Sequence, residues 1–288
     1  MELKGLYTAL ITPFRNGEVD YGKLAELVEA QIKGGVDGIV PVGTTGESPT
    51  LPTQEHLEVL RVVVEAVRGR CQVIAGTGAN STAEAVELTI EAAKLGVGAT
   101  LQVTPYYNKP TQEGLYRHFS KVADEGGLPV VLYNIPGRSG VPIAIETIAR
   151  LSANANVVGV KEAGGSVERV CQILDACATT VLSGDDSLTL PMMAVGARGV
   201  ISVVSNLCPA RLRELLDAFF AGDIQLAQRL NAALYPLFRD LFIETNPIPI
   251  KAAMAARGMV DEEYRLPLCP MSEKNRAQLL KTMEAVGV

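Results

Sequence analysis

Val157-Val158-Gly159-Val160-Lys161-Glu162 reads as a strand that is apolar on both faces until its last two residues. Alternation of apolar and polar residues marks a sheet with one wet face, whereas an unbroken apolar run marks a strand covered on both sides, as in parallel sheets. Similar short runs recur from Leu6 to Ile11, Gly38 to Val42, Val73 to Ala75, Thr100 to Val103, Val130 to Tyr133, Thr180 to Leu182 and Val200 to Val204. Together they make about eight strands spaced roughly 20 to 35 residues apart, the rhythm of repeated βα units. The segments between them read as amphipathic helices. Asp20 precedes Leu24, Leu27, Val28 and Ile32; Thr53 precedes Leu57, Leu60 and Val64; Ser81 with Glu84 forms a capping-box pattern. Eight such units, with no G-x-G-x-x-G after the first strand, predict an α/β chain closed as a (β/α)8 TIM barrel in preference to an open doubly wound sheet. After Pro209 the strand signal stops. The remainder reads as helices broken at Asn246-Pro247-Ile248-Pro249 and Leu266-Pro267-Leu268-Cys269-Pro270. The expected organisation is a catalytic barrel over residues 1–222 and a small C-terminal helical region over residues 223–288.

Composition narrows the chemistry. The 288 residues carry a net charge of −6 with no basic stripe, which argues against nucleic-acid and anionic-membrane partners. Apolar runs are interrupted before membrane-span length, and the N-terminal residues lack the features of a secretory signal, so a soluble cytoplasmic protein is expected. Five scattered cysteines without a C-x-x-C pair suggest neither a disulfide framework nor a thiolate zinc site, and are read as reduced core thiols. His56 and His118 are the only histidines, too few for a three-histidine metal site and thin support for a histidine-based nucleophile. No P-loop or nicotinamide signature is present; Gly76-Thr77-Gly78 is too short to count. No metal or organic cofactor is therefore expected, and the chemistry falls to Lys, Tyr, Thr, Arg or a carboxylate.

In a (β/α)8 barrel such residues matter at the carboxyl ends of the strands. Lys161 finishes an apolar strand, where burial disfavours an ammonium and favours a nucleophilic amine; the alternative is a lysine that reaches solvent or pairs with a carboxylate. A nucleophilic amine reacts most naturally with a carbonyl to form a Schiff base. Gly43-Thr44-Thr45-Gly46-Glu47 follows the second strand and is either an anion-binding turn or only a tight turn satisfied by its own hydroxyls. Tyr106, Tyr107 and Tyr133 fall at two strand ends, where core packing is the competing role. Arg138, after Pro136-Gly137, is either a solvated loop residue or a bidentate clamp for a carboxylate. Together these groups fit an anionic keto acid.

At Gly43-Thr44-Thr45-Gly46-Glu47, Tyr133-Asn134-Ile135-Pro136-Gly137-Arg138, Val160-Lys161-Glu162 and Ser183-Gly184-Asp185-Asp186 the chain strongly resembles the dihydrodipicolinate synthase family. That family lies within the pyruvate-dependent class I aldolase and lyase superfamily, which also holds N-acetylneuraminate lyase. The resemblance covers essentially the whole chain, including Asn246-Pro247-Ile248-Pro249-Ile250-Lys251. It implies a lysine-pathway lyase in which Lys161 forms a Schiff base with pyruvate and Tyr133 is the general acid/base. Thr44 would link Tyr133 to Tyr107 in a proton relay, with Tyr107 entering from a neighbouring subunit, so that a homotetramer built as a dimer of dimers is implied. Thr45 would bind the pyruvate carboxylate, with Gly184 and the Ile201 backbone lining the pocket, and Arg138 would hold the carboxylate of L-aspartate 4-semialdehyde. The resemblance further implies a regulatory L-lysine site at Ser48, Pro49, His56, Asn80, Glu84 and Tyr106. Pro49 and Thr53 stand where lysine-sensitive members often carry Ala and His, and Glu84 is equally explained as the capping partner of Ser81.

Two other readings compete. One is a Schiff-base lyase or aldolase acting on a sugar acid, against which Arg138 argues because a neutral polyol tail needs no guanidinium. The other is a barrel that binds a keto acid or amino acid as a sensor, for which a desolvated Lys161 would have no use.

Overall fold

A computed structural model describes residues 2–288. The barrel strands are β1 (Gly5–Ala9), β2 (Gly38–Val40), β3 (Gln72–Gly76), β4 (Ala99–Val103), β5 (Val130–Asn134), β6 (Val157–Glu162), β7 (Thr180–Ser183) and β8 (Gly199–Ser202). They run in the order β1-β8-β7-β6-β5-β4-β3-β2 as a closed barrel, the fold class expected from the apolar runs. By internal packing the chain divides into two compact units: the residues up to Gly5 with Gln72–Ile201, and Leu6–Cys71 with Ser202–Val288.

In the first unit, α3 (Thr82–Lys94), α4 (Gln112–Glu125), α6 (Ile145–Ser152) and α7 (Val167–Ala176) flank the strands, with the short α5 (Pro136–Ser139) and α8 (Thr189–Ala194) between them. Val130, Leu132, Val160 and Val181 pack with Leu115, Phe119, Ile148 and Ile173 in one buried cluster. Strand side chains alternate, so Tyr133 and Lys161 lie on the opposite face from Leu132 and Val160. Adjacent parallel strands place Leu132 beside Val160 and Tyr133 beside Lys161.

The second unit pairs Tyr7 with Gly38 and carries α1 (Tyr21–Lys33) and α2 (Thr53–Val67). Asp20 caps α1 by accepting the Lys23 N–H at 2.9 Å, as the sequence suggests. Thr53 instead opens α2 as its first residue, with Pro52 at the cap position. After Ser202, the regular elements among the described residues are helical, chiefly α9 (Pro209–Phe220), α10 (Ile224–Asp240), α11 (Ile248–Ala256) and α12 (Glu273–Val286). The Asn206 side chain ties this region to β1, accepting the Ile11 N–H at 3.1 Å and donating to the Ala9 carbonyl at 2.8 Å.

One local expectation needs amendment, and one small element was not anticipated. Cys208 is buried, but Cys171 and Cys269 are exposed and Cys71 and Cys177 only half-buried, so the cysteines are not uniformly core thiols. A small hairpin pairs Phe14 with Val19 through Asn16-Gly17, both at positive φ. An Asn-Gly pair between short strands is its sequence signal.

Candidate active site

Lys161 sits one residue before the end of β6 and is 5% exposed. Its neighbour in register is Tyr133, and its Nζ lies 4.1 Å from the centre of the Tyr133 ring. The aromatic face therefore packs against the amine and excludes water from it on that side. Gly184 follows β7 directly, and a Cβ there would come within 3.1 Å of Lys161 Cε and 2.7 Å of Ala163 Cβ. Only glycine leaves the lysine stem in place. Ile201, on β8, is buried.

The residue after Lys161 points the other way and is tied down. Glu162 is fully buried and accepts hydrogen bonds from Asn134 Nδ2 at 2.7 and 3.0 Å and the Gly164 N–H at 2.7 Å, with Arg169 Nε at 3.2 Å. Asn134 Oδ1 accepts the Ile143 N–H at 2.9 Å, and Arg169 donates to the Ile143 carbonyl at 2.8 Å. This network closes the loop that carries α5, and with it the exposed Arg138. A buried carboxylate needs such partners, and they hold the end of β6 against β5.

Asp185 is a titratable group that the strand pattern alone does not single out. Burial pushes its carboxyl up to about 6; the positive charge of Lys161 opposes that rise, while Asp186 and Glu162 add to it. A carboxyl of that pKa is half-protonated near pH 6.

In the second unit, the Gly43–Glu47 turn follows β2. Gly46 is required there: a Cβ would meet Val42 N at 2.9 Å, and its carbonyl accepts the Thr12 hydroxyl at 2.7 Å. Thr44 is half-buried and Thr45 buried, and the Asn246 amide donates to Thr45 Oγ1 at 2.9 Å. Glu47 has a left-handed backbone at φ 55°, and its carboxylate accepts from Lys251 Nζ at 2.5 Å and the Arg265 N–H at 3.2 Å. Burial lowers the Lys251 pKa and the Glu47 charge works against that. Asn246, Lys251 and Arg265 are contributors that motif reading did not assign a role.

Tyr107 is 90% exposed with φ 71°. Asn80, Glu84 and Tyr106 come together: Asn80 Nδ2 donates to the Tyr106 carbonyl at 3.3 Å, and the Tyr106 phenol is raised by burial and then by the Glu84 charge. The Glu84 N–H also reaches Ser81 Oγ at 3.5 Å, so Glu84 occupies the expected first turn of α3. Ser48 and Pro49 lie on a short 3-10 turn in the other unit, where His56 is buried on α2. Among the described residues no group of three His, Cys, Asp or Glu is arranged to hold a metal, and no helix is long and apolar enough to cross a membrane.

The chain matches the Dihydrodipicolinate synthetase family over residues 2–286. It is 53% identical over 283 residues to the 4-hydroxy-tetrahydrodipicolinate synthase of Geobacter sulfurreducens, covering 98% of each chain. The solved 4-hydroxy-tetrahydrodipicolinate synthase of Methylacidiphilum fumariolicum is 52% identical with a TM-score of 0.98, covering 99% of this chain and 96% of that one. The chloride-inhibited dihydrodipicolinate synthase of Acinetobacter baumannii, solved in complex with pyruvate, is 44% identical with a TM-score of 0.97 over 100% of both chains. With that identity sustained over its whole length, the chain belongs to the dihydrodipicolinate synthetase family.

Proposed function

We propose that this chain is a 4-hydroxy-tetrahydrodipicolinate synthase, a class I lyase that condenses pyruvate with L-aspartate 4-semialdehyde on the diaminopimelate route to lysine. The observation that carries the reading is the buried Lys161 amine packed against the Tyr133 ring at the carboxyl end of β6. Its free amine adds to the pyruvate ketone, and loss of water gives the Schiff base. Loss of a methyl proton converts this to an enamine, whose carbon attacks the aldehyde. The amino group of the second substrate then displaces Lys161 from the imine carbon, closing the ring and restoring the amine. Tyr133 serves these proton transfers, with Thr44 and Tyr107 of a second copy completing a relay.

Thr45 holds the pyruvate carboxylate, Gly184 and the Ile201 backbone shape its pocket, and Arg138 receives the second carboxylate. Neither substrate calls for a metal or organic cofactor. Family membership and the exposed Tyr107 support a homotetramer, a dimer of dimers, working in the cytoplasm. Residues 1–222 form the catalytic barrel and 223–288 its helical appendage, consistent with β8 ending at Ser202. L-Lysine inhibits at Ser48, Pro49, His56, Asn80, Glu84 and Tyr106, a reading supported by the Asn80–Tyr106 contact and the Glu84 charge beside it. Unchanged turnover in millimolar lysine would remove that part alone.

Borohydride reduction in the presence of pyruvate tests the core of the proposal. A mass adduct on Lys161, absent from Lys161→Ala, is expected; no adduct overturns the Schiff-base chemistry. Turnover with aspartate semialdehyde but not with sugar-derived aldehydes separates this enzyme from a sugar-acid lyase.

A further inference from the structure

Thr45 does not choose its hydrogen-bond polarity alone. Its hydroxyl oxygen accepts the Asn246 amide at 2.9 Å, and both residues are buried. A hydroxyl has one proton to give, and once an N–H donor occupies a lone pair, that proton turns away from the donor. The turn around Thr45 has little freedom to undo this arrangement. Gly46 is held through its carbonyl by Thr12, and Glu47 is held by Lys251 from α11, the helix that opens two residues after Asn246.

We infer that Asn246 is a positioning residue: by donating to Thr45 Oγ1 it makes Thr45 an obligate donor toward the carboxylate of the keto acid. The inference rests on the reading above that Thr45 binds that carboxylate, and it adds a specificity device contributed by the segment before α11. Without the Asn246 donor, the Thr45 hydroxyl can rotate and present a lone pair to the anion. With a carboxylate at position 246, the Thr45 proton is drawn toward residue 246 and the anion site acquires an extra negative charge.

Steady-state kinetics of the full-length enzyme separate the possibilities. Asn246→Asp raises KM for pyruvate by about tenfold or more, the scale of one charge-assisted hydrogen bond. KM for aspartate semialdehyde stays near the wild-type value, and Lys161 still labels at saturating pyruvate. The neutral Asn246→Ala raises KM for pyruvate less, and adds nothing when placed on Thr45→Val, which already lacks the hydroxyl. If Thr45→Val leaves KM for pyruvate unchanged, the carboxylate role of Thr45 fails. If Thr45→Val raises it but neither Asn246 variant does, that role stands and the positioning role of Asn246 is wrong. Additive effects of Asn246→Ala and Thr45→Val likewise overturn it, because Asn246 would then act by a route other than the hydroxyl. Should Asn246→Asp fold poorly by circular dichroism, the Asn246→Ala and Thr45→Val cycle decides alone.

Discussion

Lys251 Nζ lies 2.5 Å from Glu47 Oε1 with their side chains 0% and 1% exposed, so the turn after β2 is anchored by a fully desolvated ion pair. The Phe14 ring, 4.2 Å from the same ammonium, lines its apolar surroundings. Removing one partner strands a buried charge, which costs about 3–5 kcal/mol, whereas replacing both by apolar groups of similar volume is far less costly. Lys251→Met and Glu47→Gln are each expected to lower the urea midpoint strongly. Lys251→Met with Glu47→Leu should recover much of that loss in stability without recovering turnover, because the clamp on the turn is gone. Equal midpoints for the wild type and Lys251→Met would show that the pair contributes no stability.

Asp185 and His118 oppose one another in acid. Burial raises the Asp185 carboxyl from 3.8 to about 6 and lowers the His118 imidazole from 6.5 to about 4. Between about 3.8 and 6 the native Asp185 keeps a proton that the unfolded chain has lost, so its contribution makes stability fall as pH rises. Between about 6.5 and 4 the unfolded chain takes up a proton that native His118 refuses, so its contribution makes stability fall as pH drops. Asp185→Asn should therefore be more stable than wild type at pH 7 by on the order of 2 kcal/mol, allowing for partial exposure, with the advantage fading toward pH 4. His118→Asn should gain relative to wild type toward pH 4. Thermal melts across this range check both, and a constant difference between Asp185→Asn and wild type would refute the Asp185 assignment. Lys161→Met should move the Asp185 window upward, since the lysine charge is the main influence holding it down.

Asn134 joins β5 to Glu162 and to the loop bearing Arg138. Asn134→Ala removes the amide donor shared by both oxygens of a buried carboxylate and leaves the Ile143 N–H without its acceptor, a loss of about 2–4 kcal/mol. KM for aspartate semialdehyde should rise, while Lys161 still forms its pyruvate adduct because the amine and the Tyr133 ring remain. Loss of the adduct in a folded Asn134→Ala protein would show that the network serves Lys161 itself.

The barrel was legible because its signal is local: Val130, Leu132, Val160 and Val181 announce strands covered on both faces by being apolar in unbroken runs. Lys161 and Tyr133 were legible as exceptions to those runs, polar groups at strand ends where the fold puts its chemistry. The supports were not, for a physical reason. Asn246 lies 201 residues from Thr45 and Lys251 lies 204 from Glu47, so their pairing comes from tertiary packing that no spacing rule contains. Asp185 was visible as part of a motif, but its raised pKa depends first on burial, with Lys161 opposing the rise and Glu162 adding to it, two charges that only folding brings near. The exposed Cys171 and Cys269 show the limit of a residue-type prior when the cysteine falls on the outer face of α7 or in the loop before α12.

Tyr107 offers the last test, because its two possible roles move different observables. At 90% exposure and φ 71° the side chain buries almost nothing within its own subunit, so Tyr107→Phe should leave the melting temperature of the isolated subunit fold unchanged. A tyrosine held in a left-handed backbone is an uncommon arrangement for a bulky side chain, and such positions cluster at functional sites. If its hydroxyl completes a relay in a second copy, Tyr107→Phe lowers kcat by about 10² with little change in KM for pyruvate, the scale of lost general acid/base transfer. Specific activity of the wild type should then also fall on dilution below the dimer dissociation range, in step with the loss of dimer seen by sedimentation. A Tyr107→Phe enzyme of wild-type rate, or a wild type whose specific activity is indifferent to dissociation, would assign the exposed ring to something other than catalysis.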